Sequence, residues 1–309
     1  MVTLIAGLTN AATALRLTVY AAVTLAIVAV PVRGEAFPAC GSASARAGAF
    51  QERFFSVETP DGRIEGTIAA PAGAVPKALT LMLHGYTGAR NENGGMFRRA
   101  ARSFAARGIA TLRIDFIGSG RSDGAWADTR FSTQARDAVR AAAAFRREYD
   151  GTLPVSVLGY SQGGLVALRA AASDDPFDRM ALWNPVMDPM ATYGIIFGRD
   201  TIVEAARRHR EEGATDVVGK TRLRPGFFAE IANADPIADA AGTKAEVLIV
   251  TGQRDPLVKN GATLAGRIAD ARSSETIVLD LNAGHDLGAL RDPPLLDHVI
   301  ACTADFLLG

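Results

Sequence analysis

The chain has 309 residues, 48% of them hydrophobic, and its 33 basic side chains are balanced by 33 acidic ones. That length and apolar content can bury one large core, whereas zero net charge excludes the broad basic surface that nucleic acid requires. There is no internal repeat, no metal-ligand spacing of His or Cys, no Walker loop and no Gly-x-Gly-x-x-Gly opening a first βα unit. No cofactor and no metal are therefore expected.

Arg16 precedes a charge-free run from Leu17 to Val32, followed by Arg33-Gly34-Glu35. This reads as an export signal over residues 1–34, with Val32 and Gly34 flanking the cleavage position. An uncleaved anchor is the alternative, because the apolar run is only slightly short of a membrane span. The expected location is periplasmic or secreted, with no stable membrane partner unless the segment is retained. Residues 35–52 read as a linker and 53–309 as one domain. Cys40 and Cys302 are the two cysteines. In an exported chain they suggest a disulfide, with two separate thiols as the alternative.

Residues 53–58 and 63–70 alternate around Pro60-Asp61-Gly62 and predict an opening hairpin. Strands are predicted at 78–83, 109–116, 154–160, 179–185, 246–252 and 276–283. Helices are predicted at 94–107, 133–148, 162–173, 257–270 and 293–307, with Ser132 as N-cap of the second. Such alternation implies an α/β fold, a mainly parallel sheet with helices on both faces. Functional groups in such sheets gather at the carboxyl ends of the strands.

Gly159-Tyr160-Ser161-Gln162-Gly163-Gly164 sits between the apolar run Pro154–Leu158 and the alanine-rich run Leu165–Ala172. A serine on so sharp a strand-to-helix turn is presented clear of the backbone, and the flanking glycines let strand and helix approach. The helix N-terminus adds a positive dipole end. Serine needs a base and an orienting acid to become a nucleophile. Of His84, His209, His285 and His298, His285 follows a late strand and is the candidate base. His209 lies among charged residues of a helix, and His298 in an amphipathic C-terminal segment. Asp255, at the tip of the run Glu246–Gly252, is the candidate acid, and Asp188 is its rival. The order Ser161, Asp255, His285 is that of triads on an α/β sheet.

With Leu83-His84-Gly85-Tyr86-Thr87-Gly88 and Asp115-Phe116-Ile117-Gly118-Ser119-Gly120-Arg121-Ser122 added, the chain over roughly 53–305 resembles an α/β-hydrolase. The stretches Gly85–Glu92 and Leu112–Gly124 resemble the cinnamoyl/feruloyl-esterase branch, near the serine aminopeptidase-like and monoacylglycerol-lipase-like hydrolases. The resemblance implies an eight-stranded sheet and a cap inserted at about 185–240, where Met187, Tyr193, Ile196, Phe197, Phe227 and Phe228 would either wall an apolar pocket or pack the cap onto the core. It implies an oxyanion hole from the backbone N–H groups of Tyr86 and Gln162. His84 is expected to shape that loop, and Asp115 and Ser122 to fix their turn. The expected function is hydrolysis of small hydrophobic or aromatic acyl esters through an acyl-enzyme, the partner being a small-molecule ester. A peptidase or amidase using Glu204, Glu211, Glu212 or Glu230 to hold a peptide terminus is the second reading, and a non-catalytic binding protein the third.

On export, the purified mature protein begins shortly after Gly34, and its non-reduced mass is lower by two hydrogens. An intact mass that includes Met1 and two free thiols refutes both readings.

Overall fold

The computed structural model describes Cys40 and residues 50–309. The expected export signal and its cleavage position lie outside the described residues. Strands β1 (Phe50–Thr59) and β2 (Gly62–Pro71) form the opening hairpin. Thr59 Oγ1 donates to the Gly62 carbonyl at 2.6 Å, and Gly62 takes φ 128°, a value open to glycine. β1 starts at Phe50, so three residues read as linker belong to the sheet.

Six further strands follow: β3 (Ala78–Leu83), β4 (Ile109–Ile114), β5 (Val155–Tyr160), β6 (Arg179–Trp183), β7 (Glu246–Gly252) and β8 (Thr276–Leu281). The eight lie in the order β1-β2-β4-β3-β5-β6-β7-β8, antiparallel through β1, β2 and β4 and parallel thereafter. Every residue of β3, β4 and β5 is buried, which is why these strands read as unbroken apolar runs rather than alternating ones.

Helices α1 (Met96–Ala106) and α9 (Pro293–Leu308) cover one face, packing Phe97, Phe104, Val299 and Ile300 onto Met82, Leu158 and Trp183. Helices α2 (Phe131–Glu148), α3 (Gln162–Asp174) and α8 (Gly261–Asp270) cover the other, with Phe145, Leu165 and Ile268 in a second apolar cluster that includes Leu81, Val157 and Ile249. Between β6 and β7 stand α4 (Pro189–Phe197), α5 (Arg199–Glu212), α6 (Pro225–Asn233) and α7 (Pro236–Ala241). α5 packs on α6, and α7 returns to pack on α3.

The starts of α2 and α8 also correct the sequence reading. Helix α2 begins at Phe131 with Arg130 as N-cap, and Ser132 lies inside its first turn. Thr133 Oγ1 accepts the Arg130 N–H at 3.2 Å, while Ser132 binds Glu230 of α6 through its N–H (3.0 Å) and its hydroxyl. Helix α8 begins at Gly261 rather than 257, because the Asp255 carboxylate draws residues 256–258 into a tight turn.

The chain order places a switch point at β3: the connection to β4 runs to one side, and β5 lies on the other. Leu83 pairs with Gly159 across β3 and β5, so the loops after these two strands leave the sheet side by side. This is where a crevice opens in a doubly wound sheet. At the far end of the chain, Cys40 is disulfide-bonded to Cys302 of α9, with their Cα atoms 4.9 Å apart. Closing so long a loop removes chain entropy worth roughly 5–6 kcal/mol in the loop-closure picture. Among the described residues, no helix is long and apolar enough to cross a membrane.

One buried acid gives the fold a pH signature. Asp137 of α2 accepts the Ile117 N–H at 3.0 Å, fixing the loop after β4. Burial, the dominant cause, pushes its carboxyl up to about 6. The folded state thus holds a proton that the unfolded chain has released, and the stabilisation is full below the ordinary carboxylate range. It is lost as pH rises through about 6. In urea unfolding between about pH 4 and pH 7, Asp137→Asn, which keeps an acceptor for Ile117, should lack this decline. Parallel profiles for the two proteins would refute it.

Candidate active site

Ser161 directly follows β5 and stands at the N-cap position of α3 with φ 53° and ψ −116°, a strained conformation for a residue bearing a Cβ, costing about 1–3 kcal/mol. The surroundings hold it there. Its N–H donates to the Trp183 carbonyl at 2.9 Å, and its carbonyl accepts the Val186 N–H at 3.0 Å. The neighbouring glycines are required by space: a Cβ on Gly163 would meet the Leu83 carbonyl oxygen at 2.0 Å, and one on Gly159 the Gly163 carbonyl oxygen at 2.5 Å.

The structure brings Ser161, His285 and Asp255 together. His285 Nε2 lies 3.0 Å from Ser161 Oγ, and His285 Nδ1 lies 2.6 Å from Asp255 Oδ2. The other carboxylate oxygen of Asp255 accepts the N–H groups of Leu257 (2.8 Å) and Val258 (3.0 Å), which fixes the acid against rotation. The rival acid, Asp188, is exposed and caps α4 by accepting the Ala191 N–H at 2.9 Å. His298 is exposed on α9, and His209 sits on α5 beside a separate cleft.

His84 is fully buried, with Nδ1 donating to the Gly85 carbonyl (2.9 Å) and Nε2 accepting the Phe116 N–H (3.2 Å). Burial pushes its pKa down, so the ring is a neutral strut between the two loops. Asp115 accepts the N–H groups of Arg90 (2.7 Å) and Arg121 (3.0 Å), and the Ser122 hydroxyl donates to the Asp115 carbonyl at 2.6 Å. The loop after β3 crosses Ser161 at contact distance: a Cβ on Gly85 would lie 3.2 Å from Ser161 Cβ. Among the described residues, neither the Tyr86 nor the Gln162 N–H has a protein acceptor. Both belong to backbone flanking the serine, one on this loop and one at the first residue of α3.

Four participants were not foreseen. Asn184, following β6 with φ 41°, donates from Nδ2 to the carbonyls of Gly284 (3.1 Å) and His285 (2.9 Å) and accepts the Gly252 N–H at 2.7 Å. It ties the His285 loop to the end of β7. Tyr160 adds a hydroxyl donated to the His285 carbonyl at 3.1 Å. Glu92 holds the backbone of the loop after β3, accepting the N–H groups of Gly85 (2.6 Å) and Asn93 (2.9 Å), and burial pushes its carboxyl upward. Tyr193 of α4 donates its hydroxyl to the Gln162 side chain, whose amide in turn donates to Gln134 Oε1 at 2.7 Å. A polar residue directly after an apolar strand was a legible signal for Asn184; the other three carried none.

The pocket above Ser161 has a volume of about 650 Å³, with Tyr86, Glu92, Val186, Tyr193, Ile196 and Leu257 in its walls. Phe227 and Phe228 do not reach it. They are fully buried, and Phe227 packs against Tyr86 and Tyr193 with ring centroids 6.1 and 5.6 Å away. The apolar residues between β6 and β7 therefore divide: Ile196 faces the pocket, and the phenylalanines anchor the helices to the loop after β3. Of the charged candidates there, Glu204, Glu211 and Glu212 surround Arg207 on α5, and Glu230 is held by Ser132.

Asn184→Ala should cost about 2–3 kcal/mol in chemical unfolding, because it leaves the Gly252 N–H and the His285 carbonyl without this partner. Unchanged stability would show that the clamp carries no load.

The profile of the family described as serine aminopeptidase, S33, matches residues 74–288. Monoacylglycerol lipase of Mycolicibacterium smegmatis is 29% identical over 192 residues, covering 62% of this chain and 60% of that protein. Monoglyceride lipase of Homo sapiens is 27% identical over 180 residues, covering 56% of each. The alignments thus span under two thirds of these relatives. Among solved structures, Est1E of Butyrivibrio proteoclasticus with bound ferulic acid superposes with a TM-score of 0.63 at 19% identity, covering 82% of this chain and 96% of that one. An esterase of Pyrococcus furiosus gives 0.63 at 18% identity, with coverages of 84% and 92%. At such identities these two establish the α/β-hydrolase fold.

Proposed function

The chain belongs to the serine aminopeptidase, S33, family, and on that premise we propose that it hydrolyses carboxylic esters through an acyl-enzyme on Ser161. The observation that carries this reading is the line of contacts from Ser161 Oγ to His285 Nε2 (3.0 Å) and from His285 Nδ1 to Asp255 (2.6 Å) at the floor of a pocket.

His285 Nε2 takes the Ser161 proton as Oγ bonds to the ester carbonyl carbon and the carbonyl electron pair moves onto oxygen. The Tyr86 and Gln162 N–H groups donate to that oxyanion, each worth about 3 kcal/mol in such a site. When the intermediate collapses, the C–O bond to the alcohol breaks and His285 returns the proton to the leaving oxygen. Water then attacks the acyl group with His285 again as base, releasing the acid and restoring the Ser161 hydroxyl. Asp255 keeps the imidazole in the tautomer that leaves Nε2 free to accept, and it stabilises the imidazolium.

The pocket walls contributed by Val186, Ile196 and Leu257 support a hydrophobic or aromatic acyl group of modest size, in keeping with relatives named for monoacylglycerols and a fold neighbour holding ferulic acid. A buried methylene contributes about 0.8 kcal/mol, so selectivity among short acyl chains is a few-fold per carbon. Aminopeptidase action finds less support. Glu204, Glu211, Glu212 and Glu230 are engaged elsewhere, and both Glu92 oxygens are taken by backbone donors. The Cys40–Cys302 bond supports an oxidising compartment and, with it, the export reading of residues 1–34.

Ser161→Ala should lower turnover on a 4-nitrophenyl ester roughly a million-fold. Asp255→Asn should lower it about 10⁴-fold, with Asp188→Asn close to wild type. A Ser161→Ala protein retaining several per cent of activity overturns the mechanism, and the reverse order of the two aspartates overturns the acid. Methyl hydroxycinnamates and 4-nitrophenyl esters should be cleaved faster than aminoacyl amides at equal concentration, and an amide cleaved fastest hands the function to a peptidase.

A further inference from the structure

A second cleft, of about 460 Å³, opens where α1 overhangs β1, β2 and β4, and five arginines line it against one carboxylate, Glu52. Arg113 forms its floor. It lies on β4 in register with Thr67 of β2 and is 1% exposed. One terminal nitrogen donates to Asn91 Oδ1 at 2.6 Å and the other to Glu52 Oε1 at 2.5 Å. Its Nε–H is buried and has no hydrogen-bond partner among the described residues. Burying a guanidinium with one donor unsatisfied is costly, so the floor of the cleft carries a charge that packing alone does not favour.

Charge on the walls has the same sense. Arg53 pairs with Glu148, Arg90 with Asp115 and Arg113 with Glu52. Arg98, exposed on α1, and Arg121, exposed on the turn after β4, have no carboxylate partner among the described residues. Two of the five positive charges are thus uncompensated, which matches a phosphate monoester carrying between one and a half and two negative charges at neutral pH. Burial, then the Arg98, Arg90 and Arg102 charges, push Arg113 below its ordinary value, opposed by Glu52. At the mouth, the Phe54 ring is 68% exposed, with the guanidinium carbons of Arg90 and Arg121 each 5.8 Å from its centroid. The cleft is larger than a phosphate, and this exposed ring offers a flat platform to an organic substituent.

We propose that this cleft is a binding site for the phosphoryl group of an organic phosphate, separate from the pocket over Ser161. The guanidinium forks of Arg98 and Arg121 take the terminal oxygens, Arg113 supplies positive charge from the floor beneath them, and Phe54 receives the organic portion. Asn91, which bonds Arg113, also lines the Ser161 pocket and precedes Glu92, so the two cavities share a wall.

Titration calorimetry on the full chain tests this with phenyl phosphate, inorganic phosphate and benzoate. A vesicle-sedimentation arm uses phosphatidate in phosphatidylcholine against phosphatidylcholine alone. Phenyl phosphate should bind tighter than inorganic phosphate, and both tighter than benzoate. The double variant Arg98→Gln/Arg121→Gln, which alters exposed side chains without ion-pair partners, should weaken phenyl phosphate at least tenfold. Arg199→Gln on α5 should leave it unchanged. Arg113→Met, if folded by circular dichroism, should abolish binding. Retention on phosphatidate vesicles that the double variant loses assigns the phosphoryl group to a lipid, and its absence with phenyl phosphate bound assigns a soluble ligand. The proposal is overturned if no phosphoryl probe binds at about 10 mM, some 2.7 kcal/mol of affinity. It is also overturned if benzoate binds as well as phenyl phosphate, or if the double variant binds as tightly as wild type.

Discussion

The close approach of α3 to β3 is the constraint on which the rest of the site depends. Gly163 lies so near the Leu83 carbonyl that not even a methyl group fits between them. That contact draws the helix N-terminus against the sheet and forces the turn at Ser161 into a conformation serine does not choose on its own. It also brings the backbone after β3 alongside the backbone after β5, because Leu83 and Gly159 are cross-strand partners. The position of Ser161, the helix dipole behind it and the two N–H groups without an acceptor among the described residues are thus consequences of a single packing distance. The strain is offset by hydrogen bonds to β6 and the segment after it, through the Trp183 carbonyl and the Val186 N–H.

The histidine is positioned by different means. His285 sits in a loop beyond β8, and loops hold geometry only when their polar backbone groups are tied down. Asn184 and Tyr160 do this by occupying the carbonyls of Gly284 and His285, while the Asp255 turn fixes the acid. Residues from the ends of β5, β6 and β7 therefore support one imidazole. Tyr86 plays the corresponding part above the serine, where its ring meets Tyr193 and Phe197 of α4 and Phe227 of α6. Aromatic pairs of this kind contribute about 0.5–1.5 kcal/mol each beyond burial, enough to couple the helices between β6 and β7 to the loop beneath them.

Much of this was legible in the sequence because it follows from short-range rules. Period-two alternation about Pro60-Asp61-Gly62 marked the hairpin, apolar runs marked the buried strands, and glycines around Ser161 marked the sharp turn. The juxtaposition of Ser161, Asp255 and His285 followed from chain order on a parallel sheet. What escaped were features set by partners distant in sequence. The start of α2 is decided by Arg130 and Thr133, while the serine expected to cap it is claimed by Glu230, 98 positions away. The Tyr193 hydroxyl has a role that exists only once α4 meets the first residue of α3. The apolar residues between β6 and β7 could not be sorted into wall and anchor from periodicity, since both kinds are equally apolar, yet Ile196 is exposed and Phe227 fully buried.

The bond between Cys40 and Cys302 has an effect on the order in which the molecule can be completed. Its partners are 262 positions apart, and the second lies in α9, the last helix described. No cross-link can restrain the chain until Cys302 has been synthesised, so strand pairing that begins during synthesis proceeds without the clasp. Once formed, it makes a ring of the whole α/β domain. A single backbone cut between Cys40 and Cys302 then yields two pieces that remain joined, and the elements at the two ends cannot peel away separately.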